Sequence, residues 1–97
     1  MKKITIIGTG YVGLVSGAGL AEFGHSVSCV DIDQEKIKNL NNGQIPIHEP
    51  GLDIIVKNNV KEGRLTFSSN IEKNIQEAKI IFIAVGTPQD EKGIADL

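Results

Sequence analysis

Three glycines near the N-terminus have the spacing of a phosphate-binding turn. They follow a short apolar run and read Gly8-Thr9-Gly10-Tyr11-Val12-Gly13, that is, G-x-G-x-x-G. Glycine permits the tight turn at the first position, lets a phosphate approach the backbone at the second, and lets a helix pack closely on the strand at the third. The N–H groups and the positive dipole end of that helix then face the anion. The pattern predicts a pyrophosphate cradle.

An acidic residue extends this pattern towards a dinucleotide. Asp31 lies eighteen residues after Gly13, at the predicted end of the second strand. A carboxylate there can accept hydrogen bonds from both hydroxyls of an adenosine ribose, and it repels the 2′-phosphate of NADP. We therefore expect NAD as the cofactor. The alternative is that the glycines serve only the turn and the helix packing, and that Asp31 only caps the turn after it.

Two further places carry candidate cofactor contacts. Lys36 lies one helical turn beyond Asp33, the predicted cap of the second helix, and it can reach the adenosine end of a dinucleotide. A solvated lysine is the alternative. Thr87 and Pro88 follow the fourth predicted strand at the carboxyl edge of the sheet, where doubly wound folds bind ligands. A plain strand-to-loop turn is the alternative for them.

The other titratable residues predict neither a nucleophile nor a metal site. Cys29 lies within an apolar strand, which is typical of a small buried hydrophobe. His25 is expected to be structural, and His48 has no second histidine or cysteine at ligand spacing. Glu49 can orient a substrate or nicotinamide, but favourable charge at a helix start explains it more simply.

These residues must be positioned by alternating strands and helices. The pattern predicts strands at 3–8, 27–31, 64–68 and 79–85, with helices at 11–23 and 33–40, one starting near 51 and one ending near 78. This order predicts an α/β fold, a Rossmann-type parallel sheet with flanking helices and strand order 3-2-1-4. Pro50 is expected in the first turn of the third helix. The predicted apolar stripe of the first helix comprises Val12, Val15, Ala18, Leu20 and Ala21.

Composition narrows the class of protein. The chain has 97 residues, a formal net charge of −2 and one cysteine. That length allows one domain at most, the charge offers no basic surface for nucleic acid, and a single cysteine excludes an internal disulfide. The N-terminal apolar run is too short for a signal peptide or a membrane span. We expect a cytoplasmic protein with no membrane partner.

Four sequence runs together resemble one enzyme family. They are Gly8 to Leu14, Val30 to Asp33, Pro46 to Leu52 with its Glu-Pro-Gly-Leu, and Phe82 to Pro88 with its Val-Gly-Thr-Pro. The whole chain resembles the N-terminal NAD-binding domain of UDP-glucose 6-dehydrogenase and its UDP/GDP-sugar dehydrogenase relatives. The resemblance implies a Rossmann fold and NAD contacts at Val12, Asp31, Lys36 and Thr87. The predicted cofactor residues are Gly8, Gly10, Tyr11, Val12, Gly13, Asp31, Lys36, Val85, Gly86, Thr87 and Pro88.

The resemblance also implies an activity to which this chain contributes only part. The family oxidises a sugar C6 alcohol to a carboxylate in two NAD-dependent steps, by way of a thioester on a cysteine. That cysteine, with its partner lysine, asparagine and sugar-binding domain, lies downstream in the family, so no catalytic residue is expected within 1–97 and the isolated chain is expected to be inactive. UDP-glucose, UDP-N-acetyl-mannosamine and GDP-mannose all stay open as substrates. A stand-alone dinucleotide-binding or sensing module is the alternative.

The fourth predicted strand also raises an expectation about association. Residues 80–85 read Ile-Ile-Phe-Ile-Ala-Val and would form the edge of a sheet that stops there. An apolar edge strand with unpaired backbone groups invites pairing with another chain. We expect self-association through this strand.

Overall fold

A computed structural model of the chain describes residues 2–46 and 49–84. Four strands and four helices alternate within these residues. They are β1 (Lys3–Ile7), α1 (Tyr11–Glu22), β2 (Ser26–Val30), α2 (Gln34–Asn41), α3 (Leu52–Lys61), β3 (Leu65–Ser68), α4 (Ile71–Glu77) and β4 (Ile80–Ile83). The predicted order of elements is confirmed. The predictions on His48 and on Val85, Gly86, Thr87 and Pro88 fall outside the described residues.

The four strands form one parallel sheet in the order β3-β2-β1-β4, which confirms the predicted fold class and strand order. Ile4 of β1 is aligned with Val27 of β2 on one side and with Ile80 of β4 on the other. Ile7 is aligned with Val30, so β1 and β2 end at the same edge of the sheet. The residues that follow these two strands are therefore brought together.

The helices cover opposite faces of the sheet. Ile6 lies beneath α1, whereas the hydroxyl of its neighbour Thr5 donates a hydrogen bond of 2.8 Å to the carbonyl of Asn74 in α4. Adjacent residues of a strand point to opposite faces. Helix α1 contacts β2 and α3, and α4 contacts β1 and β2 from the other side. The central strands β1 and β2 are thus sandwiched between helices.

Helix α1 packs on the sheet through two glycines. A Cβ atom at Gly13 would lie 2.0 Å from the carbonyl oxygen of Gly8, and one at Gly17 would lie 2.6 Å from Sγ of Cys29. Only glycine fits at these positions. Their side of the helix faces the sheet, so Leu14 is 1% exposed and Val12 is 60% exposed. The predicted apolar stripe is wrong at Val12, because the close approach of the two glycines sets the rotation of the helix.

The turn into α3 also differs from the prediction. Gly51 caps the helix with a left-handed backbone (φ 81°, ψ −10°), and Leu52 N–H donates a 3.0 Å hydrogen bond to the carbonyl of Glu49. These values describe a type II turn, which favours proline at its second position and glycine at its third. Pro50 therefore lies in the turn that precedes the helix, and its predicted place in the first helical turn is wrong.

A buried amide connects three elements behind β2. The Asn59 side chain is fully buried; its Nδ2 donates to Glu22 Oε1 (2.9 Å) and to the Ile55 carbonyl (2.8 Å), and its Oδ1 accepts from Arg64 Nε (2.9 Å). Arg64 Nε also donates to the carbonyl of Ala21 at 3.0 Å. These bonds join the end of α1 to α3 and to the start of β3.

No helix in residues 2–46 and 49–84 is long and apolar enough to cross a membrane.

Candidate cofactor site

The glycine turn joins β1 to α1 at the carboxyl edge of the sheet. Gly8 has a positive φ of 113°, and its N–H donates a 2.8 Å hydrogen bond to the carbonyl of Val30. Gly10 is the N-cap of α1 and supplies no side-chain cap to the first-turn amides. A Cβ atom at Gly10 would meet no described atom within 4 Å. The turn therefore leaves open space in front of a helix N-terminus, which is the arrangement that suits an anion.

Asp31 lies directly beside this turn. Its Oδ2 accepts two hydrogen bonds from Thr9, at 3.0 Å from the backbone N–H and at 2.7 Å from the hydroxyl. Its Oδ1 accepts one from the backbone N–H of Asp33 at 2.9 Å. The bond to Asp33 is the turn-capping role that the sequence left open for Asp31. The bonds to Thr9 fix the carboxylate against the glycine turn. A residue that only capped the turn after β2 would not need these bonds.

The environment keeps Asp31 ionised. Partial burial acts to raise the pKa of this carboxyl group, but the hydrogen bonds from Asp33 and Thr9 and the positive charge of Lys36 outweigh it, so the pKa is lowered. At neutral pH the side chain is therefore an acceptor only. A ribose hydroxyl can donate to such a group, whereas a phosphate dianion is repelled by it.

A cavity of about 520 Å³ opens between the glycine turn, α2 and the loop that follows α2. Its wall combines backbone of the turn, a lysine, amide side chains and apolar side chains. The lining residues are Thr9, Gly10, Tyr11, Lys36, Asn39, Leu40, Gln44, Ile45 and Pro46. The volume lies in the range of small-molecule sites. The predicted contact Lys36 is thus on the same cavity as the predicted turn.

Tyr11, which lines this cavity, is hydrogen-bonded to Glu49 in the turn before α3. The Tyr11 hydroxyl donates a 3.1 Å hydrogen bond to Oε1 of Glu49, and this bond and the charge of the carboxylate raise the pKa of Tyr11. The sequence assigned Glu49 to the dipole of α3. In the structure its side chain instead accepts a hydrogen bond from the first residue of α1. The turn before α3 is thereby connected to the glycine turn.

The structure brings together most of the predicted cofactor residues that it describes. Gly10, Tyr11 and Lys36 line the cavity. Gly8 and Gly13 belong to the turn and its contact with α1, and Asp31 is hydrogen-bonded to Thr9 of the turn. Val12 lies apart from that cavity: it lines a separate apolar groove of about 430 Å³ between α1 and β4, together with Phe23, Phe82 and Ile83. Val85, Gly86, Thr87 and Pro88 lie outside the described residues.

Sequence reasoning missed Thr9. It occupies a variable position of the glycine pattern, where no spacing rule singles out a residue. A coarse signal was nevertheless present, since β1 and β2 end at the same edge of the sheet and the residues that follow them come close together. A hydroxyl at that place can reach a carboxylate on the neighbouring strand end.

The other candidate residues have structural surroundings. Burial raises the pKa of the Cys29 thiol to about 12, so it stays protonated and inert. His25 Nδ1 accepts a 3.2 Å hydrogen bond from the backbone N–H of Lys2. Among the residues that the structure describes, no three His, Cys, Asp or Glu side chains come together to hold a metal ion. The amides, the carboxylate and the open turn suit the pyrophosphate and ribose of a dinucleotide.

Comparisons with known proteins find similarity along the whole chain or nearly all of it. Residues 2–97 match the NAD binding domain of the UDP-glucose/GDP-mannose dehydrogenase family. A UDP-glucose 6-dehydrogenase of Bacillus subtilis (strain 168) is 58% identical over 97 residues, which is 100% of this chain and 21% of the relative. The UDP-glucose 6-dehydrogenase of Rhizobium meliloti (strain 1021) is 55% identical over 96 residues, which is 98% of this chain and 22% of the relative.

Solved structures agree with the sequence comparison. A ternary complex of GDP-mannose dehydrogenase from Pseudomonas aeruginosa superposes with a TM-score of 0.88 and 38% identity, over 97% of this chain and 22% of that one. A UDP-glucose dehydrogenase from Pyrobaculum islandicum gives a TM-score of 0.86 and 36% identity, over 93% of this chain and 21% of that one. The chain therefore spans about a fifth of the length of these relatives.

Proposed function

The chain belongs to the UDP-glucose/GDP-mannose dehydrogenase family, in which it matches the NAD binding domain, and on that premise we propose that it holds NAD at the carboxyl edge of its sheet. The family match confirms the resemblance stated from the sequence and the expected cofactor. The observation that supports the proposed position is the Asp31 carboxylate, held by three hydrogen bonds beside the open glycine turn.

Each described group has a role in this proposal. The first-turn amides of α1 and the space at Gly10 receive the pyrophosphate, because there is neither a capping side chain nor a Cβ to compete. Asp31 accepts a ribose hydroxyl, and Lys36 lies along the cavity wall on the adenosine side. Gly8 permits the tight turn, and Gly13 permits the close approach of α1 to it. Val12, Val85, Gly86, Thr87 and Pro88 stay predicted contacts, proposed from the resemblance.

We propose further that residues 1–97 form the N-terminal part of the Rossmann domain of an enzyme that oxidises UDP-glucose to UDP-glucuronate. The names of the closely related sequences favour this sugar nucleotide, although GDP-mannose is named for a structural relative. NAD, when bound, accepts the hydride removed from the sugar. The nucleophilic cysteine and the sugar-binding domain belong to the part of the family that this chain does not match, so the chain alone binds cofactor without turnover. The expected cytoplasmic location stays a prediction.

A second copy of the chain is the proposed partner of β4. Among residues 2–46 and 49–84, this strand forms one edge of the sheet, and its four side chains are exposed. Backbone groups on the outer side of an edge strand can pair with a second strand. Sedimentation velocity at rising concentration should show a shift from monomer to larger species, and a single monomeric species throughout contradicts the proposal.

The cofactor proposal is tested by removing the carboxylate. Asp31→Ala should weaken NAD binding by about 1–3 kcal/mol, because the ribose hydroxyls lose a charged acceptor. Titration calorimetry with NAD and with NADP measures this on the full chain. Asp53→Ala is the matched control, because Asp53 is an exposed carboxylate on α3.

Two results would contradict the assignment. One is equal NAD affinity of the wild-type protein and Asp31→Ala. The other is a wild-type protein that binds NADP as tightly as NAD, because an ionised Asp31 must disfavour the 2′-phosphate.

A further inference from the structure

We propose that Thr9 is a positioning residue for cofactor choice, whose hydroxyl fixes the direction in which Asp31 presents its carboxylate to the ribose. This inference rests on the proposed function, because the ribose is that of the bound NAD. Thr9 itself makes no proposed contact with the cofactor through its side chain. Its effect passes through Asp31.

The contact between Thr9 and Asp31 uses both hydrogen-bond donors of Thr9. Thr9 is 3% exposed, and both of its donors, the backbone N–H and the hydroxyl, point to the same oxygen of Asp31. The hydroxyl bond of 2.7 Å has the length of a well-formed O–H···O hydrogen bond. Two donors on one oxygen hold the plane of the carboxylate as well as its position. Both lone pairs of Oδ2 are thereby occupied by Thr9.

The second oxygen is left for the ligand. Oδ1 accepts one hydrogen bond, from the N–H of Asp33, and a carboxylate oxygen has room for about two. With Oδ2 occupied by Thr9, Oδ1 keeps a lone pair that a ribose hydroxyl can use. The Thr9 hydroxyl therefore determines which oxygen is offered and at what angle.

Cofactor choice depends on the same arrangement. A carboxylate held at the ribose repels a 2′-phosphate, whereas one that swings aside does not. The charged groups around it are Lys36 on α2, whose positive charge acts on Asp31, and Asp33, whose own side chain accepts from the Glu35 and Lys36 amides. If Asp31 moves, Lys36 is the cation left for a 2′-phosphate. Loss of the Thr9 hydroxyl should thus lower both the affinity for NAD and the preference for NAD over NADP.

The test compares three variants of the full chain by calorimetry with NAD and NADP. Thr9→Val keeps the shape of the side chain and removes the hydroxyl; we expect NAD affinity to fall about 5- to 10-fold while NADP affinity falls less, so the NAD/NADP ratio decreases. Thr9→Ser restores the donor and should stay within about twofold of the wild type. Thr66→Val is the control, because it removes a hydroxyl on β3 that donates to Ser28 Oγ at 3.2 Å.

A measurement without cofactor checks the contact itself. Carboxyl-carbon NMR titration should give a higher pKa for Asp31 in Thr9→Val than in the wild type, because the charged form loses a hydrogen bond. An equal loss of NAD and NADP affinity, with an unchanged ratio, shows a merely structural role and overturns the inference. If Thr9→Val binds NAD as tightly as the wild type while Asp31→Ala binds it more weakly, the inference is overturned and the proposed function stands. A wild-type protein that binds no NAD overturns the proposed function, and this inference with it.

Discussion

Strands β2 and β4 flank the same central strand and have opposite surroundings. Both pair with β1 in parallel, with Val27 and Ile80 aligned to the same residue, Ile4. Residues 27–30 of β2 are fully buried, whereas every residue of β4 is exposed. Yet β4 reads Ile-Ile-Phe-Ile and β2 reads Ser-Val-Ser-Cys-Val, so the more apolar strand is the more exposed one.

The difference shows that neighbours, and not composition, decide burial in this sheet. Strand β2 has β3 on its other side and the glycine face of α1 above it. In the part of the chain that the structure describes, β4 has β1 as its one strand neighbour. The buried strand is also the one that Asp31 directly follows. The proposed cofactor site is therefore fixed to the most enclosed part of the sheet.

The largest effect is expected where α1 meets β2. Gly17→Val should destabilise the fold by about 3 kcal/mol, because the first added carbon would already lie 2.6 Å from Cys29 Sγ in a packed interior. Urea unfolding measures the change in the free energy of unfolding. Gly19→Val is the control on the same helix, since a Cβ there meets no atom within 4 Å. Equal stability of the two variants would mean that β2 is not closely packed.

A smaller effect is expected behind β2, at the buried amide. Asn59→Leu should cost about 2 kcal/mol, because Arg64 Nε loses an acceptor and Glu22 a donor while side-chain volume is kept. Thermal unfolding should show a lower midpoint for this variant. Asn58→Leu, on an exposed position of the same helix, should leave the midpoint almost unchanged. A stable Asn59→Leu would show that apolar contacts alone hold α3 against the sheet.

The smallest effect on stability is expected at β4. Ile83 is 73% exposed, so Ile83→Lys should change the free energy of unfolding by less than about 0.5 kcal/mol. The same charge on the edge strand should suppress self-association, which sedimentation velocity would record. Ile54→Lys places an equal charge on an exposed position of α3 and should leave association intact. If both variants associate like the wild type, β4 is not the contact.

Much of the fold could be predicted because its signals are local. A strand followed by glycine and Asp33 capping α2 each depend on a few adjacent residues, and both appear in the structure. The strand order followed from alternation and the handedness of parallel crossovers. Asp31 and Lys36 could be predicted near the turn for the same reason, since β1 and β2 had to be neighbours.

The errors arose where the signal was not local. Apolar residues occur all around α1, so hydrophobicity could not select its buried side, and Val12 was assigned to the core in place of Leu14. Pro50 was placed in the helix because a helix start and a type II turn both accept proline in similar surroundings. The contact of Thr9 with Asp31 spans 22 positions and two strands. Such a contact depends on register, which a pattern of residue types does not contain.

The central place of β1 has a consequence for how the chain acquires its structure. Strand β1 pairs with the last described strand, Ile4 with Ile80, so its ladder on that side closes a loop that contains the other described elements. Loops of this size form slowly and make contact order high. During synthesis, β1 can pair with β2 early, but one row of its backbone groups stays open until β4 leaves the ribosome. One side of β1 therefore stays unpaired until residues 80–83 have been synthesised.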